Sequence, residues 1–401
     1  MTQTVQSDTF LVSRNCVKLY DGVTLPVPQS IQATTVLFDS PNQMLPIDKA
    51  SLTAQSKKLT QRFYYGAVDT PTTFALADSL CMLEGAKHCA LYPSGQAALH
   101  AVMSVVATTG DEVLVADSVT YTTRWLFDQV LARAGVSIGY FAPTDLAAFE
   151  QRLSARTKAV FLESPGSMLY EIQDVPAITR LCRARGVVTI LDNTWSASTL
   201  FNGFETGQID VVVLSLSKYH GAPLGVSGGA ALSNDAGLHA EFRHFGALVG
   251  AMLSSDSAAR IASVLPNLRL RLEHQAATLA RLLPKVAAIV GEANIFYPAH
   301  QSSGQFELWQ RDFLGANSLI TVRCPANSPD DVGAVLSRFR VVRHGYGWGG
   351  DTSLVNAVMP NRERHFPVAP GDTPYLRIYV GMEHAMDLEA DVVHALERAV
   401  R

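Results

Sequence analysis

Val211-Val212-Val213-Leu214-Ser215-Leu216-Ser217-Lys218-Tyr219-His220-Gly221 decides which fold this chain can take. Apolar residues of strand length stop abruptly at hydroxyls and a lysine. A strand with no wet face belongs to a sheet covered on both sides. A lysine closing such a strand is drawn out of water, so its pKa falls and the amine becomes fit to act as nucleophile and base. The plainer alternative is a stem that snorkels from the sheet end. One strand earlier, Val187–Leu191 ends in Asp192 and leads into Asn193-Thr194-Trp195. A carboxylate there needs a partner, because unpaired buried charge is costly. A helix cap or a buried ion pair would satisfy it as well as a ligand.

Around these two strands the pattern repeats. Apolar runs stand at His88–Tyr92, Glu112–Ala116, Val136–Phe141 and Ala159–Leu162. Helical stretches at Gln96–Val106, Arg124–Ala134, Leu146–Leu153 and Ala177–Arg185 separate them. The alternation predicts an α/β fold, with a large three-layer α/β/α domain around a mostly parallel sheet. Residues 1–69 are irregular and turn-rich, and read as an arm. Thr70-Pro71 has the form of an N-cap with proline at the first helical position, opening a helix through Leu83. The large domain runs over 70–265, and a mostly helical region extends from about Asp235 to Ile289. Residues 266–401, with strands Ser318–Arg323 and Tyr375–Val380 and a last helix Asp387–Val400, read as a smaller C-terminal α/β domain.

Composition narrows the function. The 401 residues carry 32 Lys and Arg against 36 Asp and Glu, and 48% are hydrophobic. Such a chain buries enough apolar surface to exclude disorder. A net charge of −4 without basic runs gives no electrostatic footprint for nucleic acid. No stretch reaches the roughly 20 apolar residues of a membrane span, and the start lacks the pattern of a signal peptide. The five cysteines (Cys16, Cys81, Cys89, Cys182, Cys324) show no CxxC spacing, so free thiols in a reducing cytoplasm are expected. Charged residues make up only 17% of the chain, which points to surface covered by copies of itself.

Open parallel sheets bind ligands at the carboxyl ends of their strands, and two more ends carry chemistry. Tyr92-Pro93-Ser94-Gly95-Gln96 joins a strand to a helix, whose free amides and small residues suit an anion. Strand–turn–helix junctions also use Ser-Gly for steric reasons alone. Tyr121, just after Glu112–Ala116, serves as a core aromatic or as a ring facing a planar ligand. The hydroxyls of Ser215 and Ser217 suit a phosphate, and Gly221, Gly225, Gly228 and Gly229 read as room for a flat ligand. Together, in this chain order, these residues describe a site for pyridoxal 5'-phosphate. A nicotinamide site fits poorly, since no strand is followed by GxGxxG, and the eleven histidines include no HExxH pair for a metal.

The chain resembles the Cys/Met-metabolism group of fold-type I pyridoxal phosphate enzymes, and within it the cystathionine β-lyases. The likeness rests on Phe63-Tyr64-Tyr65-Gly66, Leu83-Glu84-Gly85, Glu163-Ser164-Pro165-Gly166-Ser167, Leu191-Asp192-Asn193-Thr194-Trp195, Ser217-Lys218-Tyr219, Tyr346-Gly347-Trp348-Gly349-Gly350 and Leu376-Arg377-Ile378. The resemblance implies Lys218 as Schiff-base lysine and proton shuttle, Asp192 as partner of the pyridine nitrogen, and Tyr121 as the ring stacked on it. Ser94, Gly95, Gln96, Ser215 and Ser217 would hold the phosphate, with Tyr65 reaching in from a neighbouring subunit. Arg377 would bind the substrate α-carboxylate, a planar task suited to guanidinium. Tyr346, Gly347 and Trp348, with Tyr121, would line the substrate pocket. The assembly implied is a cytoplasmic homotetramer of two catalytic dimers, acting on a small amino-acid substrate.

The departures from that pattern cluster. Where the β-lyases read Tyr-Gly-Arg-Arg-Gly-Thr, this chain has Tyr65-Gly66-Ala67-Val68-Asp69-Thr70. A lost charged phosphate contact costs about 1.5–3 kcal/mol unless another donor substitutes, and Arg62 is one candidate. Asp69 adds negative charge nearby. Gly347 stands for a serine, and Asp351-Thr352 for an aromatic–glutamate pair. The activity expected is α,β-elimination from cystathionine-like or other S-substituted cysteines. The alternatives are γ-elimination or γ-replacement in a specialised pathway, and a catalytically silent paralogue with a binding role.

Overall fold

The structure is a computed structural model, and it describes residues 10–12, 17–20, 23–25, 30–40, 65–325, 331–362, 364–368 and 373–400. Most of the predicted arm, with Cys16, Arg62, Phe63 and Tyr64, lies outside the described residues. A short antiparallel hairpin of β1 (Val17–Tyr20) and β2 (Val23–Leu25) belongs to that region.

The strands predicted from unbroken apolar runs form β3 (His88–Tyr92), β4 (Glu112–Ala116), β5 (Ser137–Phe141), β6 (Thr157–Glu163), β7 (Val188–Asp192) and β8 (Val211–Ser215). With β9 (Gly229–Ser233) they make a seven-stranded sheet in the order β3-β9-β8-β7-β6-β4-β5. The ladders from β8 across to β5 are parallel, and β9 is antiparallel to both its neighbours. The carboxyl ends of β4, β6, β7 and β8 therefore share one edge. Val211, Val212 and Leu214 are fully buried, and each such side chain contributes about 1.5–3 kcal/mol.

The helices that precede the second sheet are α1 (Pro71–Glu84), α2 (Gly95–Val106), α3 (Tyr121–Leu126), α4 (Leu146–Arg152), α5 (Val175–Arg183), α6 (Ala236–Val249), α7 (Ser255–Val264) and α8 (Leu268–Val290). Thr70 caps α1 reciprocally: its hydroxyl accepts the Thr73 amide, and the Thr73 hydroxyl accepts the Thr70 amide at 2.9 Å. The helix predicted over 124–134 is instead α3 followed by a π-helical turn, Phe127–Leu131. The extra residue per turn swings the chain back toward β5, and Leu131 stays buried.

A five-stranded sheet follows, β10 (Ile295–Phe296), β11 (Leu319–Arg323), β12 (Arg343–His344), β13 (Leu354–Val358) and β14 (Tyr375–Tyr379), in the order β10-β11-β14-β13-β12. Between and after these strands lie α9 (Phe306–Asp312), α10 (Val332–Leu336) and α11 (Ala385–Val400). Leu279, Leu282 and Val286 of α8 pack with Leu388, Val392 and Leu396 of α11 on this sheet. The result places β13 and β14 opposite the carboxyl edge of the large sheet. No helix among the described residues is long and apolar enough to cross a membrane.

Candidate active site

A cavity of about 800 Å³ opens where the two sheets face each other. At one end Gly95 and Gln96, the first residues of α2, line it opposite Ser215 at the end of β8. Ser94 stands behind them as the helix cap, its hydroxyl accepting the Ala97 amide at 3.1 Å. Ser217 also stands behind, its hydroxyl 2.9 Å from that of Ser215. Glycine is required at 95, because a Cβ there would lie 2.7 Å from the Ser215 Cβ. Gln96 Oε1 is buried without a hydrogen-bond partner among the described residues. The free amides of a helix N-terminus and the Ser215 hydroxyl facing them make a phosphate cradle, to which the Gln96 oxygen, an acceptor, adds no donor. The glycines at 221 and 229, read from sequence as room for a flat ligand, serve backbone packing instead. Their Cβ atoms would lie 2.5 Å from Val226 O and 2.1 Å from Ser94 O.

Lys218 follows β8 and lines the middle of the cavity, with Nζ 5.6 Å above the Trp348 ring. Its pKa is lowered, first by desolvation and then by the charge of Arg377; Asp192 and Glu163 pull the other way. Asp192 ends β7 on the same cavity, and its Oδ1 accepts the Thr194 amide at 2.9 Å. Desolvation raises its pKa, opposed by the Thr194 hydrogen bonds and then by Lys218. Glu163 ends β6 in direct register with Asp192. Its Oε2 accepts the Thr120 amide at 2.8 Å. Desolvation and then the Asp192 charge raise the Glu163 pKa well above the carboxylate range. Of two carboxyls on neighbouring strand ends, burial pushes both toward the neutral form, and the Asp192 charge adds to that push on Glu163.

The far wall comes from the second sheet. Arg377 of β14 donates from Nε to Asn356 Oδ1 at 3.2 Å, and the two are cross-strand partners. Tyr121 opens α3, half-exposed, with its ring edge-on to Trp125 at 5.1 Å. Trp348 packs edge-on against Tyr219 at 5.2 Å, while Tyr346 is 82% exposed at the mouth. Gly347 sits at φ 105°, a region that favours glycine over the serine of the resembling pattern.

Of the site residues read from sequence, Gly95, Gln96, Tyr121, Asp192, Ser215, Lys218, Tyr346, Gly347, Trp348 and Arg377 line one cavity. Ser94 and Ser217 stand behind it, while Tyr65 and the glycines at 221, 225, 228 and 229 do not line it. Tyr65 is bridged to Thr35 and 48% exposed, and does not line this cavity. Nor do Ala67, Val68 or Asp69. The charge of Asp69, read from sequence as a burden on the phosphate site, is met by an ion pair with Arg243, and Thr73 donates to its other oxygen at 3.2 Å. Sequence reasoning missed Trp125, Asn356, Met359 and Arg362 as cavity residues and gave Glu163 no role. Trp125 was within reach, one helical turn after Tyr121; Glu163 obeys the same strand-end rule as Asp192.

A model of the Cys/Met metabolism PLP-dependent enzyme family matches residues 23–397. Cystathionine beta-lyase of Salmonella typhimurium is 31% identical over 414 residues, covering 98% of this chain and 99% of its own. Among solved structures, a methionine gamma lyase from Micromonospora echinospora superposes with a TM-score of 0.82 at 26% identity, over 98% of this chain and 99% of its own. Cystathionine gamma-lyase from Lactobacillus plantarum superposes with a TM-score of 0.84 at 22% identity, over 98% of both chains, a likeness of fold alone. The cofactor of this family is pyridoxal phosphate. The cradle at Gly95, Gln96 and Ser215, with Asp192 and Lys218 beyond it, fits that group.

Proposed function

The chain belongs to the family of Cys/Met metabolism PLP-dependent enzymes, and from that membership we propose that it is a carbon–sulfur lyase. Its substrates would be S-substituted cysteines of the cystathionine kind, cleaved by α,β-elimination to a thiol, pyruvate and ammonia. One observation carries the reading: Lys218, Asp192 and Arg377 line a single cavity with the phosphate cradle at its end. The relatives named cystathionine beta-lyase, 31% identical, favour the β reaction.

Bound pyridoxal phosphate supplies an electron sink for the carbanion formed at the substrate Cα. The rest falls to the side chains. Arg377, held by Asn356, takes the α-carboxylate and fixes the amino acid in the cavity. Lys218, whose charge desolvation and Arg377 disfavour, removes the Cα proton at Nζ. Asp192 would hold a proton on the ring nitrogen, and burial drives the carboxyl of Glu163 beside it toward its neutral form. Tyr121 would face the ring, and the Cβ thiolate would leave toward the mouth.

The arm completes the picture. Tyr65, which does not line the cavity of its own chain, would enter that of a neighbouring subunit in a catalytic dimer, two of which would form a cytoplasmic tetramer. The exposed Leu37, Leu248 and Leu314 are apolar surface such an assembly could cover.

A γ reaction is the second reading, favoured by the methionine gamma lyase structure at 26% identity and by the departures from the β-lyase pattern at Gly347, which lines the cavity, and Asp351. Incubating the holoenzyme with cystathionine, cystine and S-alkylcysteines, then weighing keto acids by mass, separates them. Pyruvate is expected. Only 2-oxobutyrate would move the chain to the γ branch, and silence on every substrate would sink the lyase reading.

A further inference from the structure

Tyr121 lines the cavity from the start of α3, a helix of six residues. The amide of Thr120 before it is fixed on Glu163. One hydrogen bond fixes a point and leaves a short helix free to pivot, so a second anchor sets where the ring lies. Its aromatic neighbour Trp125 is itself 46% exposed and gives no such anchor. The buried side chains of α3 are Thr123 and Arg124. Arg124, one helical turn from Tyr121, donates from Nη2 to Asp117 Oδ1 and to Asp117 O, each at 2.8 Å, with both side chains buried. Its guanidinium lies over the Tyr140 ring of β5, 4.2 Å from the centroid. Tyr140 in turn donates to Asp128, in the π-helical turn after α3, at 2.8 Å. The Asp117 carboxylate also holds a second stretch of chain. Its Oδ1 accepts the His365 amide at 3.1 Å, and its Oδ2 accepts the Phe366 amide at 2.8 Å. The His365 ring stacks on Tyr140 at 4.4 Å, with Nδ1 3.1 Å from Arg124 Nη1. This stretch continues the chain beyond Met359, which lines the cavity after β13.

We infer that Arg124 and Asp117 are positioning residues for the cofactor, their ion pair setting the pivot of α3 and so the placement of the Tyr121 ring against it. The two amides on Asp117 tie the chain beyond β13 to the same point. Desolvation offsets much of the Coulomb energy of a buried pair, so stability alone accounts poorly for it. The inference rests on Tyr121 facing the cofactor ring, and not on which bond the enzyme cleaves. Lysine does not substitute for Arg124, because a point-like ammonium neither spans Asp117 and His365 at once nor lies flat on Tyr140.

The test uses the holoenzyme without substrate and reads the circular dichroism of the bound cofactor's visible band, which responds to an aromatic ring stacked on it. Tyr121→Ala should lower that signal about twofold or more, and Arg124→Lys by a comparable factor. In the Tyr121→Ala protein, Arg124→Lys should change it by less than about 1.2-fold, since the two residues then act as one unit. His365→Phe keeps a ring on Tyr140 and loses the nitrogen facing Arg124. It should give a smaller change of the same sign, and it carries the test where the lysine variant does not fold. With a substrate that turns over, Arg124→Lys should lower kcat about tenfold and leave KM within about twofold. A lower melting temperature with an unaltered cofactor signal, or equal losses in both backgrounds, overturns the inference, for the pair would then hold the fold alone. An unaltered signal in Tyr121→Ala overturns it too, because the clamp would have no ring to place. Release of no keto acid from any substrate defeats the lyase reading, and the circular-dichroism cycle still decides this one.

Discussion

The floor of the cavity and its mouth are built on opposite plans. At the floor, Glu163 and Asp192 issue from the ends of buried parallel strands, and Lys218 from the turn after a third. Backbone amides of Thr120 and Thr194 fix the two carboxyls. At the mouth, Tyr346, Trp125 and Arg362 stand exposed on short helical turns and a loop. The floor specifies protonation states, which tolerate no slack. The mouth, built of exposed side chains, can vary without disturbing the strands beneath it.

Substitution at the floor is the sharpest way to break this contrast. Lys218→Ala should lower keto-acid release by at least about 10³-fold, with a melting temperature within a few degrees of the wild type. Turnover that survives would move the proton transfer to another group. Arg377→Ala lies between the two regions and should lower kcat/KM about 10–100-fold, chiefly through KM. A fall in kcat at constant KM would assign Arg377 to the chemistry, not to binding.

The smallest effect concerns stability. Glu84 is buried under the floor, where its Oε2 accepts Asn193 Nδ2 at 2.9 Å. Burial raises its pKa from 4.5 to about 7, against hydrogen bonds from Ser198 and Asn193. The folded state then keeps the proton through a window in which the unfolded chain has lost it. Stability from this group is full below about pH 4.5 and is lost as pH rises through about 7. The total is on the order of 3 kcal/mol, at about 1.4 kcal/mol per pH unit. Glu84→Gln cannot ionise, so its stability relative to the wild type should rise from pH 5 to pH 8 in denaturant titrations. A constant gap would mean that Glu84 is not held in its neutral form.

The same contrast explains what was legible in the amino-acid sequence. β3 to β8 could be read because strands buried on both faces are near-continuous apolar runs. β9 could not, because Gly229-Ala230-Ala231-Leu232-Ser233 has the composition of no particular element. Lys218 and Asp192 stood out as charges ending such runs. Asn356 was hidden, since its meaning depends on lying across the ladder from Arg377, and register is not written in one strand. Arg362 was hidden as well, since nothing in its short turn marks it as cavity-facing. The loss of arginine at 67 and 68 was visible, but the partner of Asp69, Arg243, sits on a helix far along the chain.

One clasp has a consequence for synthesis. Arg271 of α8 donates to Tyr219 O at 2.8 Å and to Gly349 O at 3.5 Å, and Gln275 donates to Gly350 O at 3.1 Å. A Cβ at Gly349 would lie 2.5 Å from the Tyr219 amide nitrogen, so the two backbones touch. The turn that bears Lys218 is thus held against residues translated well over a hundred positions later. A nascent chain can complete its large sheet on the ribosome while this turn still lacks its backing. The lysine reaches its final setting only when the last third of the protein has emerged, which ties the birth of the site to the end of translation.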